Sequence, residues 1–336
     1  VTSEAVAGPG QSAKQKPHAA VIYNPTKVDL RKLRRTVGKA EKEAGWSRTR
    51  WIETDPNDAG EAAATQALSK GASVVLAAGG DGTVRAVASA LRGSGVPIAL
   101  LPVGTGNLLA RNLDLTVTHL DVAVTTAFTG HDHAIDIGIA KITRDDGTIE
   151  SHAFLVMAGL GLDARMIAKT NSKLKKAVGW LAYVDAGMRA LPELTPVRMH
   201  YRVDDAPERH LTAHTLIVGN CGSLPGGILL LPEAKLDDGI LDIAALKPRG
   251  RFGWLRVWNK ITWENGVLRR SAAGRRIIDL TADVRDVAYF RGSRLRSRLQ
   301  NAEEFQLDGD EFGKVTAVDC TVDRRSLIVK IPGRAP

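Results

Sequence analysis

The sequence predicts two domains, an α/β domain on a parallel sheet followed by a β-rich domain. Short apolar runs alternate with helical patterns up to about residue 140, as expected for parallel strands joined by crossover helices. Beyond Ile135-Asp136-Ile137-Gly138 the pattern shortens and β-type segments dominate. A chain of 336 residues with 44% hydrophobic content can also bury two cores. The expected boundaries are a disordered polar leader over 1–17, an α/β unit over 18–140 and a β-rich unit over 141–332. The divide lies near the hairpin-like Arg144-Asp145-Asp146-Gly147.

In order, His18–Tyr23 reads as a buried strand that ends at Asn24-Pro25, because proline disfavours continuation. Asp29 can cap a helix in which Leu30, Leu33, Val37 and Ala40 share one face. A strand over 46–53, a helix over 58–70 and a strand over 72–78 follow. The helical pattern of Val84–Leu91 leads to an apolar strand over 97–102 and a helical start at Leu108–Asn112. In the second half, strands are expected over 153–157, 197–203, 211–219, 241–246, 277–282, 305–307, 315–322 and 326–331. Trp- and Lys/Arg-rich helices over 174–190 and 252–269 interrupt them.

Gly79-Gly80-Asp81-Gly82-Thr83 lies between a strand and a helix. Without Cβ atoms, its backbone N–H groups can close on phosphate oxygens, helped by the helix dipole. Asp81 would repel phosphate unless a cation such as Mg2+ stood between them. Gly104-Thr105-Gly106-Asn107 makes a second such turn after the next strand, so the two would lie side by side on one sheet edge. Thr83 and Thr105 offer hydroxyls, Asn24 and Asn107 offer amides, and Arg111 offers a guanidinium to the same nucleotide. Neither turn is a Walker A loop or a GxGxxG fingerprint, which sets aside P-loop ATPases and dehydrogenases.

A net charge of +9 favours an anionic partner. Cys221 and Cys320 have no CxxC or CxxH companion, so no disulfide framework or zinc site is indicated and a cytoplasmic setting fits. No apolar run is long enough to cross a membrane. His131 and His133 have no further ligand nearby and are expected in a surface loop.

Asn24-Pro25, the two glycine turns, Gly159-Leu160-Gly161-Leu162-Asp163 and the run Pro232–Asp242 occur in the order found in the diacylglycerol kinase catalytic family. The chain resembles a soluble bacterial lipid kinase of that family over residues 18–332. The resemblance implies that the second domain is a β-sandwich and that ATP and lipid meet in the cleft between domains. It implies ATP-phosphate contacts at Gly79, Gly80, Asp81, Gly82, Thr83, Val84 and Arg85, with further contacts at Thr105 and Thr54. It also implies a catalytic Mg2+ at Asp81, with Asp136 in its water network, and a structural Mg2+ at the Asp238 carboxylate and the Lys235 and Ile240 carbonyls. Turn chemistry alone also accounts for Lys235–Asp242.

The proton acceptor for a lipid hydroxyl is expected at Asp310 in Leu307-Asp308-Gly309-Asp310, with Glu311 in reserve. The family usually carries Glu there, so the carboxylate is set back by about 1.5 Å, one bond length. Leu108 stands where some relatives carry an acid after the Asn. Three clusters have chemistry suited to a membrane interface: Phe252–Trp263, Lys169–Trp180, and Arg291, Arg294, Arg296 and Arg298. Trp254 and Trp258 fit a core as well, and the arginine run also reads as a solvated face.

The expected activity is ATP- and Mg2+-dependent phosphorylation of diacylglycerol to phosphatidic acid, at the inner face of an anionic membrane. Other readings are a kinase for a sphingoid base, ceramide, monoacylglycerol or glycolipid, an NAD kinase, or a non-catalytic nucleotide- or membrane-binding module. No nucleic-acid partner is expected, and a homodimer is left open.

Overall fold

The computed structural model describes residues 16–55, 58–104, 106–161, 196–224, 228–248 and 286–333. The expected helices over 174–190 and 252–269, the strand over 277–282, Thr105 and two of the proposed membrane clusters lie outside these residues.

The first half comprises β1 (His18–Tyr23), α1 (Leu30–Glu43), β2 (Ser47–Glu53), α2 (Glu61–Ser69), β3 (Val74–Gly79), α3 (Asp81–Leu91), β4 (Ile98–Pro102), α4 (Leu108–Asn112) and α5 (Leu120–Thr129). Strands β4-β3-β1-β2 pair in that order, all parallel. Alternation along these strands feeds two cores. Ala19, Val21, Val74, Leu76, Ala99 and Leu101 pack with α1 and α5, while Ala20, Ile22, Val75, Ala77, Ile98 and Leu100 pack with α2 and α3. Strands covered on both faces must be apolar throughout. For α1, Leu33, Val37 and Ala40 are buried, and Asp29 caps the start by accepting the Lys32 N–H at 3.0 Å. Gly45, at φ +71°, ends it.

The second half comprises β5 (His131–Thr143), β6 (Ile149–Phe154), β7 (Met157–Leu160), β8 (Val197–Val203), β9 (Arg209–Ala213), β10 (Thr215–Gly219), β11 (Ser223–Leu224), β12 (Ile228–Leu229), β13 (Leu241–Leu246), β14 (Val287–Gly292), β15 (Arg294–Leu307) and β16 (Asp310–Ile331). Phe154, Leu160, Met199, Leu216, Ile243, Leu295, Phe305 and Val318 belong to its core.

Two expectations change. His131 and His133 begin β5, paired to Ile331 and Val329, and are not in a loop. The single strand expected over 211–219 is split at His214 into β9 and β10. Residue 140 lies within β5, and the sequence after Asp323 returns to the first half. There Val329 of β16 pairs parallel with Ile98 of β4. One sheet therefore runs through both halves, because β5 and β16 are long enough to serve each. Their register breaks between Asp323 and Leu327, opposite Asp136.

Candidate active site

The two glycine turns come together as the sequence suggests. A Cβ on Gly104 would lie 2.8 Å from Gly80 Cα, and one on Gly106 would collide with Asp81 Oδ2. The first contact, with backbone, requires glycine; at the second a Cβ would displace the Asp81 carboxylate. Asp81, the first residue of α3, joins the turns: its Oδ2 accepts the Asn107 N–H at 3.1 Å and its Oδ1 accepts the Leu108 N–H at 2.6 Å. Gly80 caps α3 without a side-chain acceptor, so that cap leaves first-turn amides available.

β15 and β16 form a hairpin whose tip reaches this edge. Its loop is Asp308-Gly309, at φ +51° and +89°, as a two-residue type I′ turn needs. Asp310, first in β16, approaches α3. Its Oδ2 lies 3.0 Å from the position of a Cβ on Gly82 and accepts from Arg85 Nη2 at 2.8 Å. Arg85 also donates Nη1 to the Leu307 carbonyl at 2.6 Å and lies over the Phe312 ring. Strand alternation turns Glu311 to the other face from Asp310.

A cleft of about 620 Å³ lies between turns and hairpin, lined by Lys27, Gly80, Asp81, Gly82, Val103, Gly104, Gly106 and Asp308–Asp310. Gly80, Asp81, Gly82 and Asp310 thus meet at one cleft. Arg85 touches the cleft through Asp310, and Asn107 through Asp81.

Other expected residues have different partners. Asn24 Oδ1 accepts the Thr26 N–H at 3.0 Å and its hydroxyl at 2.7 Å, closing the turn after β1. Thr54 is buried, its N–H bonded to the Tyr23 carbonyl. Gly79 ends β3, Thr83 is buried under it, and Val84 donates its N–H to the Gly80 carbonyl. Arg111 turns back, its Nε donating to the Gly106 carbonyl at 2.8 Å.

Asp136 is fully buried opposite the break in β16. Its Oδ1 accepts the Arg325 N–H at 2.7 Å and its Oδ2 the Gly239 N–H at 2.6 Å, while its own N–H goes to the Leu236 carbonyl. It therefore clamps the segment containing Lys235 and is not among the cleft-lining residues. Asp238 accepts the Ile240 N–H at 3.1 Å and Arg291 Nη2 at 3.1 Å. Arg291 also reaches Glu233 at 3.2 Å and Asp242 at 2.9 Å. Burial, with Asp238 and Glu233 nearby, pushes Asp242 up to about 6 against the pull of Arg291. Of the arginine run, Arg291, Arg294 and Arg296 are paired within the protein, the latter two with Asp319.

Sequence reasoning missed Asp308 and Lys27. Asp308 is buried and its carboxylate accepts the N–H groups of Leu155, Val156 and Met157 at 2.9, 2.8 and 3.0 Å. Burial pushes its carboxyl up, opposed by those amides and by Arg85. Its Asp-Gly signal was readable as a hairpin turn. Lys27 was readable as a cation three residues past Asn24, at the same sheet edge.

Residues 18–140 match the family model described as a diacylglycerol kinase catalytic domain, and residues 156–273 match a YegS C-terminal NAD kinase beta sandwich-like domain. A Bacillus subtilis protein named diacylglycerol kinase is 28% identical over 300 residues, covering 88% of this chain and 90% of its own length. A Pseudomonas aeruginosa protein named "Probable lipid kinase YegS-like" is 34% identical over 223 residues, 64% of this chain and 68% of its own. The fold matches a solved Bacillus anthracis diacylglycerol kinase with TM-score 0.65 at 18% identity, over 95% of this chain and 98% of the other.

Proposed function

The chain belongs to the diacylglycerol kinase catalytic-domain family of lipid kinases, and from that premise we propose that it transfers the terminal phosphoryl group of ATP to a lipid hydroxyl, diacylglycerol first. One observation carries the reading. The Asp310 carboxylate stands over Gly82 in the first turn of α3, at a cleft edged by both glycine turns.

In the reaction the acceptor O–H gives its proton to Asp310 as the lipid oxygen forms a bond to the terminal phosphorus and the bond to ADP breaks. Arg85 fixes Asp310 from beneath, which makes Arg85 a positioning residue. First-turn amides of α3 hold phosphate oxygens, as at other helix starts. The 620 Å³ cleft gives the phosphates room between the turns and the hairpin.

The donor set fits Mg2+, which is held by one or two carboxylates plus phosphate oxygens and water. Among the described residues no three His, Cys, Asp or Glu side chains form a metal cage. Asp81 lines the cleft, and each of its oxygens carries one amide donor, so lone pairs remain for the ion. Bound there, Mg2+ would neutralise phosphate charge. The Lys235, Asp238 and Ile240 set fits a divalent ion poorly, because Arg291 already supplies positive charge to Asp238. The lipid is taken from an anionic membrane surface. Among the described residues no helix is long and apolar enough to cross a membrane.

The test is incorporation of labelled phosphate from ATP into diacylglycerol, monoacylglycerol, ceramide, a sphingoid base and a glycolipid in mixed micelles, with NAD as a further acceptor. Labelled phosphatidic acid as the leading product supports the proposal. Labelled NADP with no labelled lipid would overturn it.

A further inference from the structure

Phe312 follows Asp310 by two residues on β16, so both side chains leave the same face of the strand. Both meet Arg85. Its Nη2 donates to Asp310 at 2.8 Å and its Nη1 to the Leu307 carbonyl at 2.6 Å, while its Cζ lies over the Phe312 ring, 5.0 Å from the centroid. The hydrogen bonds fix the edge of the guanidinium, and the ring covers its face. Phe312 packs on the core of the second half and is not among the residues lining the cleft, so it acts there only through Arg85.

The ring is itself aimed and anchored from the far side. Phe312 and Gly313 stand together opposite Phe305, a bulge in β16 with Gly313 at φ +70°. Bulges of this kind re-aim a side chain. Arg144, just after β5, spans the bulge, its Nη1 donating to the carbonyls of Phe312 and Lys314. Its Nε and Nη2 grip Glu150 of β6 at 2.8 and 2.9 Å, and Glu150 lies 2.9 Å from His152 Nε2. Hydrogen bonds from Arg144, then His152, hold the Glu150 carboxyl down at about 2, so this anchor stays ionised at neutral pH. The His152 ring meets the Phe312 ring edge to face, 4.7 Å between centroids.

We propose that Phe312 is a positioning residue for phosphoryl transfer: it sets the plane of the Arg85 guanidinium and, through it, the direction of the Asp310 carboxylate. The inference rests on the kinase reading above and deepens it. The Asp310 side chain is more than half exposed and takes its hydrogen bond from Arg85. A guanidinium free to turn about its last bonds can keep that ion pair while swinging the carboxylate away from the acceptor hydroxyl. The ring removes this freedom. A base accepts a proton only within hydrogen-bond reach of the donor, so the loss falls on the transfer step and not on nucleotide binding.

Transfer of labelled phosphate from ATP to diacylglycerol in mixed micelles, or to whichever acceptor of the panel above leads, tests this in the full chain. The proteins are the wild type, Phe312→Leu, Phe312→Tyr, Arg85→Met and the double variant Phe312→Leu with Arg85→Met, each with kcat, KM and thermal unfolding measured. Phe312→Leu keeps an apolar side chain and removes the aromatic face. Its kcat should fall by about five- to thirtyfold, the worth of a cation–π contact, with KM for ATP unchanged. Phe312→Tyr should recover most of that rate. In the double variant, Phe312→Leu should cost nothing beyond Arg85→Met, because both act through one contact. A loss that persists in full on the Arg85→Met background overturns the Phe312 assignment and leaves the kinase reading standing. A lower Tm with unchanged kcat in Phe312→Leu does the same and assigns the ring to packing alone. A wild type that labels no acceptor overturns the kinase reading, and this inference with it.

Discussion

Arg85 and Asp310 lie 225 positions apart in the chain and 2.8 Å apart in the structure. The pair closes the β15–β16 hairpin onto α3. The Arg85 side chain is 15% exposed and that of Asp310 is 54% exposed. One partner is thus fixed by packing while the other faces the cleft, an arrangement suited to presenting a carboxylate.

Asp310→Asn should lower kcat by about 10²- to 10⁴-fold, the usual contribution of a general base, and leave ADP binding unchanged. Asp310→Glu should keep substantial turnover. Arg85→Met should cut kcat more than it raises KM, and Arg85→Lys should recover little because it lacks the planar fork. Full turnover in Asp310→Asn removes this residue from the chemistry.

Asp308→Ala would strip the acceptor from three backbone amides. Each unsatisfied buried group costs about 1–3 kcal/mol, so urea unfolding should show a loss of about 3 kcal/mol or more. Asp308→Asn should lose less. A stability change within error for Asp308→Ala would mean that the hairpin tip is held by other contacts.

Much of this architecture is readable from residues alone. β1 and α4 match their expected limits, and Asp29 caps α1, because short-range signals decide them: proline, capping oxygen and apolar spacing. α5 was not foreseen, since Leu120–Thr129 lacks a side-chain cap and a strong polar face. The return of β16 to β4 was also hidden, as no local pattern encodes a pairing between Val329 and Ile98. At the site the glycines were legible through turn chemistry, whereas Asp310 was singled out by the need for a proton acceptor and by the family resemblance. The resemblance implies phosphate for Arg85 and a metal's water network for Asp136, and no residue type announces the partners they have here, Asp310 for Arg85 and the Gly239 and Arg325 amides for Asp136.

Arg291 supplies the positive charge between Glu233, Asp238 and Asp242. Arg291→Met should therefore destabilise the protein at pH 7.5 by about 2 kcal/mol, less than a fully buried pair would cost because the guanidinium is 39% exposed. The loss should shrink at pH 5, where Asp242, at about 6, takes up a proton. EDTA should leave the wild-type Tm unchanged. A drop in wild-type Tm with EDTA would show that a divalent ion holds this segment after all.

His18 begins β1 with its Nε2 buried and without a hydrogen-bond partner among the described residues. Burial, and then Arg50, holds its pKa below the usual 6.5. The folded protein therefore binds this proton less readily than the unfolded chain. Its contribution is complete above pH 6.5 and is lost as pH falls through the depressed value. The wild-type urea midpoint should fall between pH 7 and 5, and His18→Phe should flatten that slope by at most one proton's worth. Parallel slopes for the two proteins would exclude His18 as the source.

β16 begins at Asp310 and ends at Ile331, beyond the residue that reaches Ile98. A single ribbon thus ties the carboxylate at the cleft to the sheet that carries the glycine turns. The halves cannot swing apart on a slack tether, so widening of the gap for a lipid would require torsion along that ribbon. Its pairing with β5 is irregular at Arg324–Ser326, and Asp136 bolts this stretch through the Arg325 amide. Flexure and grip therefore meet at one buried carboxylate.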